Sequence, residues 1–306
     1  MEFLFIFLAI LALVLFFYVM IKNIARGAFK SFTQRRTTEY AYKEAPEGNP
    51  WHEYIPIMDM NMEWFKSVSS DVYIDSFDGF RLHGYYDSAN SQRTMIYFHG
   101  YSSNGLKEGS TFAKIYYEMG YNVLVVEQRG HDLSEGDYIT FGILEARDVS
   151  SWVSYVNNMS SGEIVIHGTS MGAATVLGAL KYDLPNVSLI VADSSFGCAY
   201  DALFDGFSFN KSLKKMLMHF IYRDYLKYAK ADLKADSPRD LVCKANIPIL
   251  FVVGSEDTQT PPSLSQELND LCVSKHELLI IEGAIHASSI YTNQDKYVEA
   301  IKHFIG

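Results

Sequence analysis

Glu163-Ile164-Val165-Ile166-His167-Gly168-Thr169-Ser170-Met171-Gly172-Ala173-Ala174-Thr175-Val176-Leu177-Gly178-Ala179-Leu180 passes from one kind of secondary structure to another within 18 residues. Ile164–His167 is a short apolar run of the kind that forms a strand buried on both faces. Ala173–Leu180 reads as the start of a helix. Between them stands Gly168-Thr169-Ser170-Met171-Gly172, a G-x-S-x-G pattern. Glycines two positions on either side of Ser170 let the backbone turn sharply without a Cβ clash, which lifts the serine hydroxyl to the N-terminal end of the helix. Three fixed positions alone are a modest signal, but a strand before them and a helix after make Ser170 a candidate nucleophile. The plainer reading is a tight turn with an incidental serine, and it leaves the rest of the pattern unexplained.

Working outward, short β-branched runs alternate with helical stretches, as in a mostly parallel sheet covered on both faces. Asp71–Ser76 and Arg81–Asp87 flank Phe77-Asp78-Gly79 and read as an antiparallel hairpin. Six further runs follow, Thr94–Phe98, Asn122–Glu127, Glu163–His167, Ser188–Ala192, Pro248–Val253 and Glu277–Ile281, so eight strands are expected. Helical patterns occupy about 106–119, 142–157, 171–182, 262–273 and 294–304. Residues 196–245 break the rhythm with Phe, Met, Leu and Tyr at helical spacing and no strand signal. They read as a helical insertion over the sheet's C-terminal edge. Its Phe196, Phe204, Phe207, Phe209, Met216, Met218, Phe220 and Tyr222 would either build an apolar acyl pocket or pack the insertion onto the core.

A serine nucleophile needs a base, and the base needs an orienting carboxylate. Among nine histidines, His286 stands in a small-residue loop, Glu282-Gly283-Ala284-Ile285-His286, after the strand Glu277–Ile281. The C-terminal ends of parallel strands are where ligand-facing residues of an open sheet lie. Asp257 follows the strand Pro248–Val253 in the same way and is the favoured acid, with Glu256 and Asp193 as competitors. The developing oxyanion of acyl transfer needs donors. The loop His99-Gly100-Tyr101-Ser102 and the helix start at Met171 offer the backbone N–H groups of Tyr101 and Met171.

The N-terminus is a separate matter. Phe3–Ile21 is 19 residues without charge, Gly or Pro, and as a helix it spans roughly 28 Å, close to a bilayer's hydrocarbon thickness. It lacks a preceding basic region and a small-residue cleavage site, and it exceeds a signal-peptide core in length, so an uncleaved anchor is expected. Residues 1–36 hold five bases and one acid, all the bases on the C-terminal side of the run. The positive-inside rule then puts the body on the cytoplasmic face, with Lys22–Arg36 placed to rest on anionic headgroups. The expected organisation is an anchor at 1–22, a basic juxtamembrane and linker segment at 23–70, and a catalytic domain at 71–306. The whole chain carries −10, and an acidic body argues against nucleic acid as a partner. Cys198, Cys243 and Cys272 fit neither metal-ligand spacing nor a disulfide framework.

Taken together, these residues resemble the α/β-hydrolase superfamily, and more narrowly its bacterial membrane-anchored serine hydrolases. The likeness rests on His99-Gly100, Glu127-Gln128-Arg129-Gly130-His131-Asp132-Leu133-Ser134-Glu135-Gly136, Gly142, Glu145 and Asp148, Gly168–Gly172, Glu256-Asp257 before Pro261, and Ala284-Ile285-His286-Ala287. It runs from about residue 71 to 306. It implies an α/β-hydrolase fold with Ser170, Asp257 and His286 as nucleophile, acid and base, and no metal or organic cofactor. Relatives usually have Asp at Glu127, Gly at Asp132 and Val at Thr260, departures that touch loop shape. The reaction expected is hydrolysis of a small acyl substrate, for which the membrane anchor suggests a lipid-derived ester: a carboxylic ester first, a thioester or peptide bond next. A membrane-tethered scaffold without activity is the rival from another class.

Overall fold

The computed structural model describes residues 1–37, 48–101 and 103–305. Residues 38–47 of the expected linker and Ser102 of the expected oxyanion loop lie outside the described residues. In chain order the elements are α1 (Glu2–Thr33), α2 (Ile55–Val68), β1 (Ser70–Asp75), β2 (Arg81–Asp87), β3 (Thr94–Phe98), α3 (Gly105–Glu118), β4 (Asn122–Val126), α4 (Glu145–Met159), β5 (Ile164–Thr169) and α5 (Met171–Gly178). They continue with β6 (Val187–Asp193), α6 (Ala199–Asp205), α7 (Lys211–Asp224), α8 (Pro238–Val242), β7 (Ile249–Gly254), α9 (Pro262–Leu271), β8 (His276–Ile281), α10 (Ser289–Thr292) and α11 (Gln294–Ile305).

The eight strands form one sheet in the order β1-β2-β4-β3-β5-β6-β7-β8. β2 runs antiparallel to both neighbours, and the pairings from β4 across to β8 are all parallel. Successive side chains of a strand point to opposite faces, and here both faces are covered. Met95, Tyr97, Val123 and Val125 pack with Phe65, Phe112 and Tyr116 on one side. Ile96, Phe98, Leu124 and Val126 pack with Trp152, Val153 and Val176 on the other. That is why these runs are almost continuously apolar. It also brings the C-terminal ends of β3, β5, β6, β7 and β8 to one edge.

The expected insertion at 196–245 is narrower in the structure. Val242 and Ala245 belong to the core beneath the sheet, with Leu268 and Ile249, because the parallel crossover from β6 to β7 needs a helix on the sheet. The segment standing over the sheet edge is α6, α7 and the π-helical turn Tyr225–Ala229.

α1 differs more. Its apolar residues from Phe3 to Met20 stand exposed, and among the described residues it is the one helix long and apolar enough to cross a membrane. The helix does not end near residue 22 but continues to Thr33, and Ala25, Phe29 and Thr33 are buried. Their spacing of four puts them on one helix face. That face joins Leu217, Met218, Ile221 and Tyr225 in a third core cluster. Arg26 pairs with Asp224 at 3.1 Å, and Arg36, expected in a free basic stretch, is buried. The segment expected as juxtamembrane and linker is thus partly body: its first third is helical and docked, and its last third is α2.

Candidate active site

Ser170 sits between β5 and α5 at φ 56°, ψ −116°, backbone that a non-glycine residue adopts only when its surroundings force it. Both flanking glycines are needed. A Cβ on Gly168 would come within 2.3 Å of the Gly172 carbonyl oxygen, and one on Gly172 within 2.0 Å of the Phe98 carbonyl oxygen. The end of β3 therefore presses directly on the turn. Gly172→Ala is expected to cost about 3 kcal/mol or more, read as a fall in the thermal midpoint. An unchanged midpoint would mean that the turn does not press on β3.

The Ser170 hydroxyl faces His286. His286 Nε2 lies 2.9 Å from Ser170 Oγ, and its Nδ1 lies 2.8 Å from Asp257 Oδ2. Asp257 is closed off from solvent and accepts hydrogen bonds from the backbone N–H groups of Gln259 and Thr260 at 2.9 and 2.8 Å. The Thr260 hydroxyl is 2.8 Å from Asp257 Oδ2 and 3.0 Å from the Ser194 carbonyl oxygen. Burial by itself would raise the Asp257 carboxyl. The hydrogen bond and charge of His286, with the Thr260 donors, outweigh that and hold it below the usual carboxylate range.

The competing acids face elsewhere. Glu256 is exposed. Asp193, at the end of β6, turns into the core, where the Tyr297 hydroxyl donates to it at 3.0 Å and burial pushes its carboxyl up to about 6. Its backbone serves the turn, since the Ser170 N–H donates to the Asp193 carbonyl at 2.8 Å. Ser194 continues the support: its Oγ accepts the Ala287 N–H at 3.2 Å. Of the other histidines near strand ends, His99, His131 and His167 are fully buried, and desolvation lowers the pKa of each.

The loop after β3 closes the other side. A Cβ on Gly100 would stand 3.4 Å from Ser170 Cβ, so this loop runs beside Ser170. It is braced by Glu108, whose Oε1 accepts the Gly100 N–H at 2.9 Å and the Tyr97 hydroxyl at 2.7 Å. The Tyr101 hydroxyl donates to the Phe32 carbonyl at 2.8 Å, and the Arg36 guanidinium donates to the Tyr101 hydroxyl and lies over its ring. Met171 opens α5, where backbone N–H groups lack helical acceptors. Thr260, Glu108, Ser194 and Arg36 were not singled out as site residues by the sequence. Arg36 and Ser194 act through partners 65 and 93 residues away, and Glu108 and Thr260 through bonds to Gly100 and Asp257 that only the folded loops bring into reach. Among the described residues, no three His, Cys, Asp or Glu side chains converge on a metal-sized site.

A hydroxyl, an imidazole and a buried carboxylate in one hydrogen-bonded line at the C-terminal sheet edge form an arrangement suited to nucleophilic acyl transfer. Comparison with known proteins agrees with the fold. Residues 34–219 match the family described as X-Pro dipeptidyl-peptidase (S15 family), a span that includes Ser170 and stops before Asp257 and His286. The chain is 28% identical to the uncharacterized protein YqkD of Bacillus subtilis over 251 residues, 79% of this chain and 81% of YqkD. It is 23% identical to protein bem46 of Schizosaccharomyces pombe over 236 residues, 75% of this chain and 72% of bem46. The esterase Pf2001 of Pyrococcus furiosus superposes with a TM-score of 0.61 at 23% identity, covering 78% of this chain and 91% of that one. With more than half of its length matched, the chain belongs to the X-Pro dipeptidyl-peptidase (S15) family of the α/β-hydrolase superfamily.

Proposed function

We propose that the protein is a serine hydrolase that cleaves carboxylic esters, and related acyl bonds, through an acyl-enzyme on Ser170. The observation that carries this reading is the line of hydrogen bonds from Ser170 Oγ through His286 to Asp257. His286 Nε2 takes the Ser170 proton as the oxygen attacks the carbonyl, and Asp257 holds Nδ1–H so that the imidazolium is stabilised. The tetrahedral oxyanion is held by the Tyr101 and Met171 N–H groups. His286 then protonates the leaving group, and a water activated by the same nitrogen releases the acid. Met171 and Phe196, with the partly buried Tyr101 and Phe141, belong to one apolar cluster, which favours an apolar acyl group. α1 anchors the chain in a bilayer, with the body on the cytoplasmic face.

The test is hydrolysis of p-nitrophenyl esters from acetate to palmitate by the full chain in detergent, run beside labelling by a fluorophosphonate probe. Labelling with ester turnover is expected, and the preferred chain length sizes the acyl site. The family match favours a second reading, a peptidase, and Ala-Pro-p-nitroanilide tests it: turnover of this amide above that of the esters would reverse the order. Absence of labelling in folded protein would leave the tethered scaffold.

A further inference from the structure

The charge of this chain is segregated. Residues 206–231, which contain α7 and the π-helical turn, hold six bases and one acid, and residues 1–36 hold five bases and one acid. The other 244 residues are left with a net charge of −19. The two basic segments lie together, because α7 packs along α1. Tyr18 meets Phe220 edge-on at 5.4 Å between ring centroids, and Phe29 meets Tyr225 at 5.1 Å.

Where the apolar run of α1 ends, a cleft of about 390 Å³ is lined by Tyr18, Lys22, Phe220, Arg223, Lys227 and Tyr228, among others. The one acid there, Asp224, is already paired with Arg26 at 3.1 Å. Arg26 also lies over the Tyr228 ring at 3.6 Å. Three further cations, Lys22, Arg223 and Lys227, therefore face a cleft whose upper wall is aromatic. Lys22 is the first charge after Phe3–Ile21, so the cleft stands at the height of lipid headgroups when α1 spans the bilayer. Leu226 and, farther along the same segment, Phe209 and Met216 are exposed, as on a basic surface that rests on acyl chains.

We propose that this cleft is a binding site for the phosphate headgroup of an anionic phospholipid, held by Lys22, Arg223 and Lys227. The segment over the active site is then a second membrane contact beside α1. Charge complementarity selects the occupant: a guanidinium and two ammonium groups suit a phosphodiester, and juxtamembrane bases favour anionic leaflets. The site rests on the reading of α1 as a bilayer helix and is independent of the triad's chemistry.

The experiment uses the full chain in dodecyl maltoside, with its thermal midpoint followed on adding phosphatidylglycerol, phosphatidylcholine or inorganic phosphate. Phosphatidylglycerol is expected to raise the midpoint at a concentration at least about tenfold below that at which phosphatidylcholine acts, and Arg223→Gln/Lys227→Gln to remove the difference. Both substitutions fall on exposed residues, and Lys244→Gln/Lys302→Gln is the control that keeps it. Equal shifts from the two lipids, or a shift retained by the Arg223/Lys227 variant, overturn the site. The same shift from inorganic phosphate would make the occupant a free phosphate and overturn the membrane contact. Resistance of both proteins to carbonate extraction reports the anchor separately.

Discussion

Ser170→Ala is expected to lower kcat/KM toward a p-nitrophenyl ester about 10⁵-fold, about 7 kcal/mol of transition-state stabilisation. His286→Ala should fall as far, and the double variant little further, because nucleophile and base act as one unit. The imidazole's two nitrogens lie 2.9 Å from Ser170 Oγ and 2.8 Å from Asp257 Oδ2, with the Thr260 hydroxyl 3.1 Å from Nδ1. Asp257→Asn is expected to cost about 10⁴-fold, since an amide in that place favours the wrong imidazole tautomer. Glu256→Gln, on an exposed neighbour, should leave the rate unchanged. The same five variants treated with the fluorophosphonate probe separate chemistry from folding. A Ser170→Ala protein that keeps a tenth of the activity would place the nucleophile elsewhere.

The elbow at Ser170 and the strands around it were legible because their signals are local. A run such as Met95–Phe98 must be apolar at every position when both sheet faces are covered, and Gly168 is demanded by a contact within its own turn, although Gly172 answers to the Phe98 carbonyl of β3. Asp257 and His286 could be placed after their strands, but Asp257 could not be separated from Asp193 by position, since both follow a strand. What separates them is what packs on top: Tyr297, 104 residues away, ties Asp193 into the core. Thr260 bonds to the Ser194 carbonyl, 66 residues back, and the Tyr101 hydroxyl to the Phe32 carbonyl, 69 residues back. Such pairs leave no trace in periodicity.

The aromatic residues of the insertion show the same limit. Met218 and Phe220 are buried in the cluster that takes in Ala25 and Phe29 of α1, so they serve packing, while Phe209 and Met216 remain exposed. The partner face of α1 was hidden in the sequence, because Ala25, Phe29 and Thr33 are only three positions set among Arg26, Lys30 and Arg35. A basic linker and a docked amphipathic turn look alike at that length.

The docked end of α1 makes the second large effect one of truncation. A chain beginning at Ile21 loses only residues that are exposed in the structure and is expected to stay folded and active. A chain beginning at residue 37 loses Phe29, fully buried, whose removal alone is worth about 3–5 kcal/mol, a large part of the roughly 5–15 kcal/mol that stabilises an ordinary domain. It also strands backbone groups, because the Ile139 N–H donates to the Thr33 carbonyl at 3.0 Å and the Asp132 N–H to the Arg36 carbonyl at 2.8 Å. The damage reaches the chemistry, since Phe32 and Arg36 are the partners that fix Tyr101 beside Ser170. The shorter chain is therefore expected to melt well below the longer one and to lose ester turnover even where it remains soluble, as measured by thermal unfolding and p-nitrophenyl acetate hydrolysis side by side. Equal stability and rate in the two truncations would mean that α1 is only a tether. A loss confined to the chain starting at 37 would make the last three turns of α1 part of the catalytic body, with α1 and the loop after β3 joined through Tyr101.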